Sequence, residues 1–376
     1  MGMIRRQSQG ESWAYPESLQ DAVVQIRVIY LVEIGGQRTA SDIRHVRRLA
    51  QLHVSRCNKV MQMRQLPDFG PILLPLYGEE KLMAERTDKQ IIIGIAMATV
   101  IGILISWAGS DGGDRFGVLP VFALCGALAF AVNWAAFIPA AIKQTEHYYD
   151  LIGGITYITI TIVAVLLSSP LDLRSAIVTG MVLFWSIRLA SFLFLRISRA
   201  GKDSRFDDIK NRPPHFLLAW TLQGLWALLT AACALAIITG GNREPLGIIG
   251  YIGIGVWTLG ILIEIVADKQ KSTFRASPAN QGKFISTGLW AWSRHPNYFG
   301  EIVLWSGMAI IAIPVLQGWQ WATVISPVFV AFLLTKVSGV PMLEKAADER
   351  WGGQDDYETY KQNTPVLVMK PPARDV

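Results

Sequence analysis

Eight apolar runs, each near the length that crosses a bilayer, constrain this chain more than any other feature. They are Ile91–Trp107, Val118–Ile142, Leu151–Leu167, Ala176–Leu195, Phe216–Thr239, Leu246–Val266, Ile302–Leu316 and Trp319–Leu334. A helix needs about 20 apolar residues to span the hydrocarbon core, and only a helix or a closed barrel satisfies its own backbone there. The expected fold is therefore all-α, a polytopic transmembrane helical bundle of about eight spans, within a range of seven to nine. The run near Leu304 is short and meets Pro314, so a tilt or kink is expected there. Composition agrees: 51% of residues are hydrophobic, 17% are charged, and 13 are Trp, a residue at home at membrane interfaces.

The polar segments divide the chain. Residues 1–90 form a basic extension without a run of span length or a cleavable signal pattern. Within it Ile43, Val46, Ala50, Val54, Cys57 and Met61 recur at helical spacing, with Arg44, Arg47, Arg48, Arg56 and Lys59 on other faces. That pattern suits an amphipathic helix lying on an anionic membrane surface. Residues 91–340 hold the spans, and 341–376 form a C-terminal segment expected to fold against the bundle. Cations gather in alternate loops. Arg199, Lys202, Arg205, Lys210 and Arg212 follow the fourth span, Lys269, Lys271, Arg275, Lys283 and Arg294 follow the sixth, and Lys345, Arg350, Lys361, Lys370 and Arg374 follow the eighth. The opposite loops hold only Arg115, Arg174 and Arg243. By the positive-inside rule both termini are expected in the cytosol. An endoplasmic reticulum membrane or a bacterial inner membrane would suit.

Several function classes fit poorly. The net charge of +6 is explained by the basic loops and does not call for nucleic acid. Cys57, Cys125 and Cys233 are too scattered for a disulfide framework or a thiolate metal site, and no metal is expected. Internal repeats and columns of intramembrane charge, the marks of many transporters, are not visible; the ionisable residues within the apolar runs are few, Arg188, Glu264 and Glu301.

Polar chemistry concentrates at the basic ends of the later spans. Ser293-Arg294-His295-Pro296-Asn297-Tyr298-Phe299-Gly300-Glu301 opens the seventh span. Arg294 can fork onto a phosphate or carboxylate, His295 can donate to it, and a helix starting at Pro296 turns its free amides toward the same anion. The plainer alternative is that Arg294, His295 and Tyr298 anchor a span at the interface. Upstream, Glu264 and Asp268 share a helix face beside Lys269, Lys271 and Arg275. This set suits a nucleotide, with cations on phosphates and a carboxylate on ribose or amide, or else an ordinary helix terminus with snorkelling cations. Trp351, Tyr357 and Tyr360 could fold the tail over this mouth. Glu146 with Tyr149 or Tyr157 could polarise a substrate carbonyl; the same stretch also reads as a polar connecting loop.

The Ala267–Glu301 segment, with Asp268-Lys269-Gln270-Lys271, Phe274 and the Arg294-His295-Pro296-Asn297-Tyr298 element, resembles the steroid 5-alpha-reductase-like membrane family, formerly the domain of unknown function DUF1295. The likeness runs back through Gly201-Lys202-Asp203-Ser204-Arg205 and forward through Gly339-Val340-Pro341 to Thr364-Pro365, covering roughly residues 120–370. It implies NADPH held in a cytosol-facing cavity and a carbon–carbon double bond reduced in a steroid or other lipid. By position, Asp268, Lys269, Lys271, Arg275, Arg294, His295, Asn297, Tyr298, Glu301, Tyr357 and Tyr360 would bind the cofactor. Glu146, Tyr149 and Tyr157 are the nominees for substrate activation. Glu264 stands where steroid reductases carry Asn, which leaves its role open. The Arg-His-Pro-x-Tyr element also occurs in isoprenylcysteine-type methyltransferases, so S-adenosylmethionine chemistry is the first rival. A membrane protein that kept the fold without the reaction is the second.

Overall fold

A computed structural model describes residues 70–200 and 206–372. The expected amphipathic helix around Ile43–Met61, the resemblance at Gly201–Arg205 and Arg374 lie outside the described residues. The chain divides into two compact units, Met1–Glu80 and Lys81–Val376. The described helices are α1 (Gly70–Gly109, apolar over Asp88–Gly109), which begins in the first unit, and, in the bundle of the second, α2 (Val121–Lys143), α3 (Tyr149–Leu167), α4 (Leu173–Ala200), α5 (Pro213–Thr239), α6 (Gly247–Ala276), α7 (Pro296–Ala312), α8 (Ile325–Phe332), α9 (Val340–Trp351) and α10 (Asp355–Asn363). A two-residue hairpin, β1 (Arg115–Phe116) with β2 (Leu119–Pro120), follows α1.

Seven of these stretches are long and apolar enough to cross a membrane; the last runs from Gly318 to Trp351 through a 3₁₀ turn, α8, a π turn at Leu333–Val337 and α9. The expected seventh span, α7, is 17 residues long, at the lower edge of what spans. It ends at Ala312 before Pro314, so the expected kink is instead a helix terminus. At its other end α7 begins at Pro296, six residues before its apolar run, because Pro at the first helical turn needs no amide partner. Likewise α6 continues ten residues past Val266, carrying Ala267–Ala276 beyond the apolar span.

The central post is α5. Nine-tenths of its apolar window is buried (89%), against 22–39% in the other spans, whose exposed Ile, Leu and Val side chains suit a lipid surround. Helices α2, α3, α4, α7 and α8 pack around it. The tightest pairing is α6 with α7, and glycine is its cause. A Cβ at Gly260 would fall on the backbone of Gly300 and Leu304, and one at Gly253 on the backbone of Gly307 and Ile311. Without those side chains the two backbones approach as small residues allow in membranes. Gly255, with open space around it, takes no part. Gly260→Val is therefore expected to cost about 1–3 kcal/mol by overpacking, lowering the melting temperature in detergent, while Gly255→Val leaves it unchanged.

The end opposite the basic loops is closed by one buried and one half-buried cation. Arg174, 1% exposed, donates from Nη1 to Ile311 O at 2.6 Å and from Nη2 to Pro245 O at 2.7 Å and Leu246 O at 3.2 Å. It thus satisfies a carbonyl of the last turn of α7. Arg243 joins Asp114 at 3.2 Å and Asp172 at 3.7 Å. Lys271, Arg275, Lys283, Arg294 and Arg350 meet at the other end, where the polar chemistry collects.

Candidate functional site

The site begins with how the Ser293–Glu301 segment is held. Ser293 Oγ accepts the His295 amide at 3.1 Å and donates to Leu367 O at 2.9 Å. The Arg294 amide donates to Pro365 O at 2.9 Å, and the Lys370 amide to Trp292 O at 3.0 Å. Tyr360 Oη donates to Trp290 O at 2.7 Å, and Trp351 Nε1 to Gly282 O at 2.6 Å. The C-terminal segment is thus strapped across the motif. Beneath it Trp290 Nε1 donates to Ala267 O at 3.1 Å, and the Leu289 amide to Gln270 Oε1 at 3.0 Å. Gly288 makes this possible: its φ is +63°, and a Cβ there would collide with the Gln270 side chain.

Two cavities open on either side of α9. The smaller, about 130 Å³, is lined by Lys271, Arg275, Lys283, Arg294 and Arg350, by the rings of Phe284, Trp290, Trp351, Tyr357 and Tyr360, and by one carboxylate, Glu344. Lys271 Nζ stands 4.3 Å from the centre of the Trp290 ring. Phe284 meets Trp351, Tyr357 and Tyr360 at 5.2–5.9 Å between ring centres. Glu344 answers the cations: Oε2 lies 2.7 Å from Arg294 Nη1 and Oε1 2.7 Å from His295 Nε2. His295 Nδ1 and Arg294 Nε are buried without hydrogen-bond partners, and burial lowers the His295 pKa against the upward pull of Glu344. The tyrosine hydroxyls of residues 357 and 360 are held above the usual phenol range, first by burial.

The larger cavity, about 430 Å³, is walled by Trp185, Leu189, Phe192, Leu193, Trp226, Leu334, Met342 and Leu343. Its polar side carries Asp150, Glu264, Asp268, Asn297, Tyr298 and Glu301, with no Lys or Arg in the lining among the described residues. Arg188 neutralises part of this charge from behind, with Nη1 2.5 Å from Glu264 Oε1 and Nη2 2.5 Å from Asp268 Oδ2. Asn297 Nδ2 donates to the other Asp268 oxygen at 3.3 Å. Glu301, 8% exposed, forms no ion pair among the described residues. Tyr157 is 7% exposed, rests edge-on against Trp185, and turns its hydroxyl toward the Thr230 hydroxyl without closing a hydrogen bond to it. Leu343 and Ala346 of α9 line both cavities and form the partition between them.

The residues singled out in the sequence separate accordingly. Lys271, Arg275, Arg294, His295, Tyr357 and Tyr360 meet at the small cavity, and Asp268, Asn297, Tyr298 and Glu301 at the large one. Lys269 is exposed and lines neither. Of the three nominees for substrate activation, Tyr149 and Tyr157 line the large cavity and Glu146 does not. Glu146 is 6% exposed and paired with Lys210 at 3.0 Å, and the Tyr149 hydroxyl donates to Ala219 O at 2.9 Å, which leaves Tyr157 with the open donor. Sequence reasoning counted Lys283 and Arg350 only as cations of the basic segments, saw Glu344 only as part of a charged tail, and passed over Phe284. It noted Arg188 as an intramembrane charge without giving it partners, although such a charge is itself a functional signal.

The family model described as "Protein of unknown function (DUF1295)" matches residues 136–364, more than half of the chain. The chain belongs to this family. The DUF1295 match includes every residue that lines either cavity, from Tyr149 to Tyr360, and leaves out α1. Among curated proteins the chain is similar to the probable O-methyltransferase ustE of Ustilaginoidea virens, 30% identical over 100 residues, which are 26% of this chain and 34% of that protein. It is also similar to the uncharacterized protein C594.04c of Schizosaccharomyces pombe, 24% identical over 148 residues, 32% of this chain and 43% of that protein. The chain therefore spans less than half the length of the curated relatives it matches. No solved structure matches it.

Proposed function

We propose that this DUF1295 protein is an integral-membrane reductase that uses NADPH to saturate a carbon–carbon double bond in a steroid or other lipid. The observation that carries this reading is the pairing of a cation-rich, aromatic-walled cavity with a larger apolar one across a single helix. Five cations are more than a ligand with one carboxylate needs, and they suit several phosphate charges. The unpartnered Arg294 Nε adds a donor, and Phe284, Tyr357 and Tyr360 offer ring faces for a base. Asp268 and Asn297 present the carboxylate and amide that a ribose or carboxamide would meet in the larger cavity. When bound, the dinucleotide supplies a hydride. The apolar walls receive the lipid and exclude water, and the Tyr157 hydroxyl is the donor available to the substrate oxygen. Asymmetry of the basic loops assigns the end that bears both cavities to the cytosol, where soluble dinucleotide is at hand.

Tyr157→Phe is expected to lower kcat by about 10²–10³, the scale of one lost donor to a developing oxyanion. The KM for NADPH should stay unchanged, as measured on an enone lipid the wild type reduces.

A second reading, methyl transfer from S-adenosylmethionine, draws on the similarity to the probable O-methyltransferase and on the acidic lining of the larger cavity, which suits a sulfonium. Thermal unfolding in detergent separates the two, since a ligand bound at 100 times its Kd stabilises by about 2.7 kcal/mol. The reductase reading expects NADPH to raise the melting temperature and S-adenosylmethionine to leave it; the reverse pattern transfers the assignment to methyl transfer.

A further inference from the structure

We propose that Glu344 is a charge latch: it occupies the anion site made by Arg294 and His295, and a polyphosphate must displace it, releasing α9 from between the two cavities. This rests on the reading of the small cavity as a phosphate site, and it adds how that site selects its ligand and reports to the lipid cavity.

Three observations carry it. First, Glu344 is placed as a ligand oxyanion would be. Each of its carboxylate oxygens lies 2.7 Å from a different member of the motif, inside a cavity otherwise lined by cations and rings. Second, α9 is lightly held. Of its twelve residues only Val340, at its start, is buried; Glu344 joins its middle to the motif, while Asp348 and Trp351 tie its last turns to Tyr357, Lys361 and Gly282. Third, α9 is jointed. The preceding π turn ends at Val337, Ser338 and Gly339 leave helical geometry (φ −134°, ψ −98° and φ −5°, ψ −96°), and a new helix starts at Val340. Gly339 also lets the joint lie against Tyr298, whose ring a Cβ would strike.

From this follows a discrimination by charge number. A monoanion reaching Arg294 only replaces one carboxylate with another. A polyphosphate replaces Glu344 and also meets Lys271, Arg275, Lys283 and Arg350, which a single carboxylate on α9 does not serve together. Once freed, α9 takes Met342, Leu343 and Ala346 with it, and these line the larger cavity. Filling the phosphate site therefore reshapes the lipid site.

The test uses inorganic pyrophosphate as probe on the full-length protein in detergent, with Kd by calorimetry and hydrogen exchange over Met342–Ala347. Glu344→Gln keeps the shape and removes the charge. Its Kd for pyrophosphate is expected to tighten roughly tenfold or more, as removal of a like charge from a partly desolvated site does. Its α9 amides should exchange as fast without probe as those of the wild type with it. Glu344→Asp, which keeps the charge, and Lys345→Gln, at a side chain 80% exposed, should not tighten binding; they keep the comparison available if the Gln variant folds poorly. An unchanged Kd in Glu344→Gln, tightening in Glu344→Asp, or α9 exchange that slows when wild type binds pyrophosphate overturns the latch. If pyrophosphate displaces Glu344 while NADPH binds neither protein, the latch stands and the reductase reading falls. If NADPH binds wild type and Glu344→Gln equally, the latch falls and that reading stands.

Discussion

Arg294→Ala is expected to weaken NADPH binding by about 2–5 kcal/mol, a loss of roughly 30-fold to several thousandfold. The size follows from position. The side chain of Arg294 is 12% exposed, so its charge acts where water screens little, and it faces the small cavity together with Lys271, Arg275, Lys283 and Arg350. Removing it also leaves Glu344 against His295 without its stronger countercharge. Arg294→Lys should recover part of the loss, since it restores the charge and not the planar fork. The check is Kd for NADPH by titration, with the unfolding temperature measured alongside. Unchanged affinity in a folded Arg294→Ala protein would remove this residue from the anion site.

The largest expected effect on stability belongs to Arg188. Its guanidinium holds Glu264 and Asp268 at 2.5 Å each, and those carboxylates are 3% and 8% exposed. Arg188→Met leaves two acids on one face of α6 without their cation, beside Glu301 across the cavity. Breaking a buried pair from one side costs about 3–5 kcal/mol, enough to unfold much of the protein during extraction. The triple variant Arg188→Met, Glu264→Gln, Asp268→Asn removes all three charges and should recover most of that stability without recovering nucleotide affinity. Yield of monodisperse protein and melting temperature are the measurements. A single Arg188→Met variant as stable as wild type would mean that the acids do not depend on this cation.

Much of the architecture could be read from the chain because bilayer length is a strong physical constraint. The apolar runs located the spans, and the uneven cations placed the polar chemistry at one end of the bundle. Boundaries were less visible where polar residues continue a helix. Hydropathy ends at Val266, yet α6 carries Lys271 and Arg275 onward to Ala276 and delivers them to the cavity. The final span was equally opaque: a 3₁₀ turn, α8, a π turn and α9 share one apolar signature, and hydropathy is blind to the joint at Ser338–Gly339.

For the site, local motifs were readable and long-range partners were not. Arg294, His295 and Asn297 stand out because polar residues crowd the start of one span. Glu344 reaches His295 across 49 residues, and Arg188 reaches Glu264 across 76, distances at which no spacing rule applies. Glu146 shows the converse. Its acidic, phenol-rich neighbourhood suggested a reacting group, whereas folding gives its charge to Lys210 and leaves it outside the large cavity.

The central claim is that a phosphorylated nucleotide enters the small cavity, and the rings that wall it provide the readout. Trp290 and Trp351 line that cavity beside the cations, so a reduced nicotinamide dinucleotide bound there should quench their emission by energy transfer. Titrating NADPH into purified protein at low salt is predicted to give saturable quenching that weakens as salt rises and is smaller in amplitude in Trp351→Phe with Trp290→Phe. Quenching that never saturates at low salt, in protein that remains folded, would contradict the account.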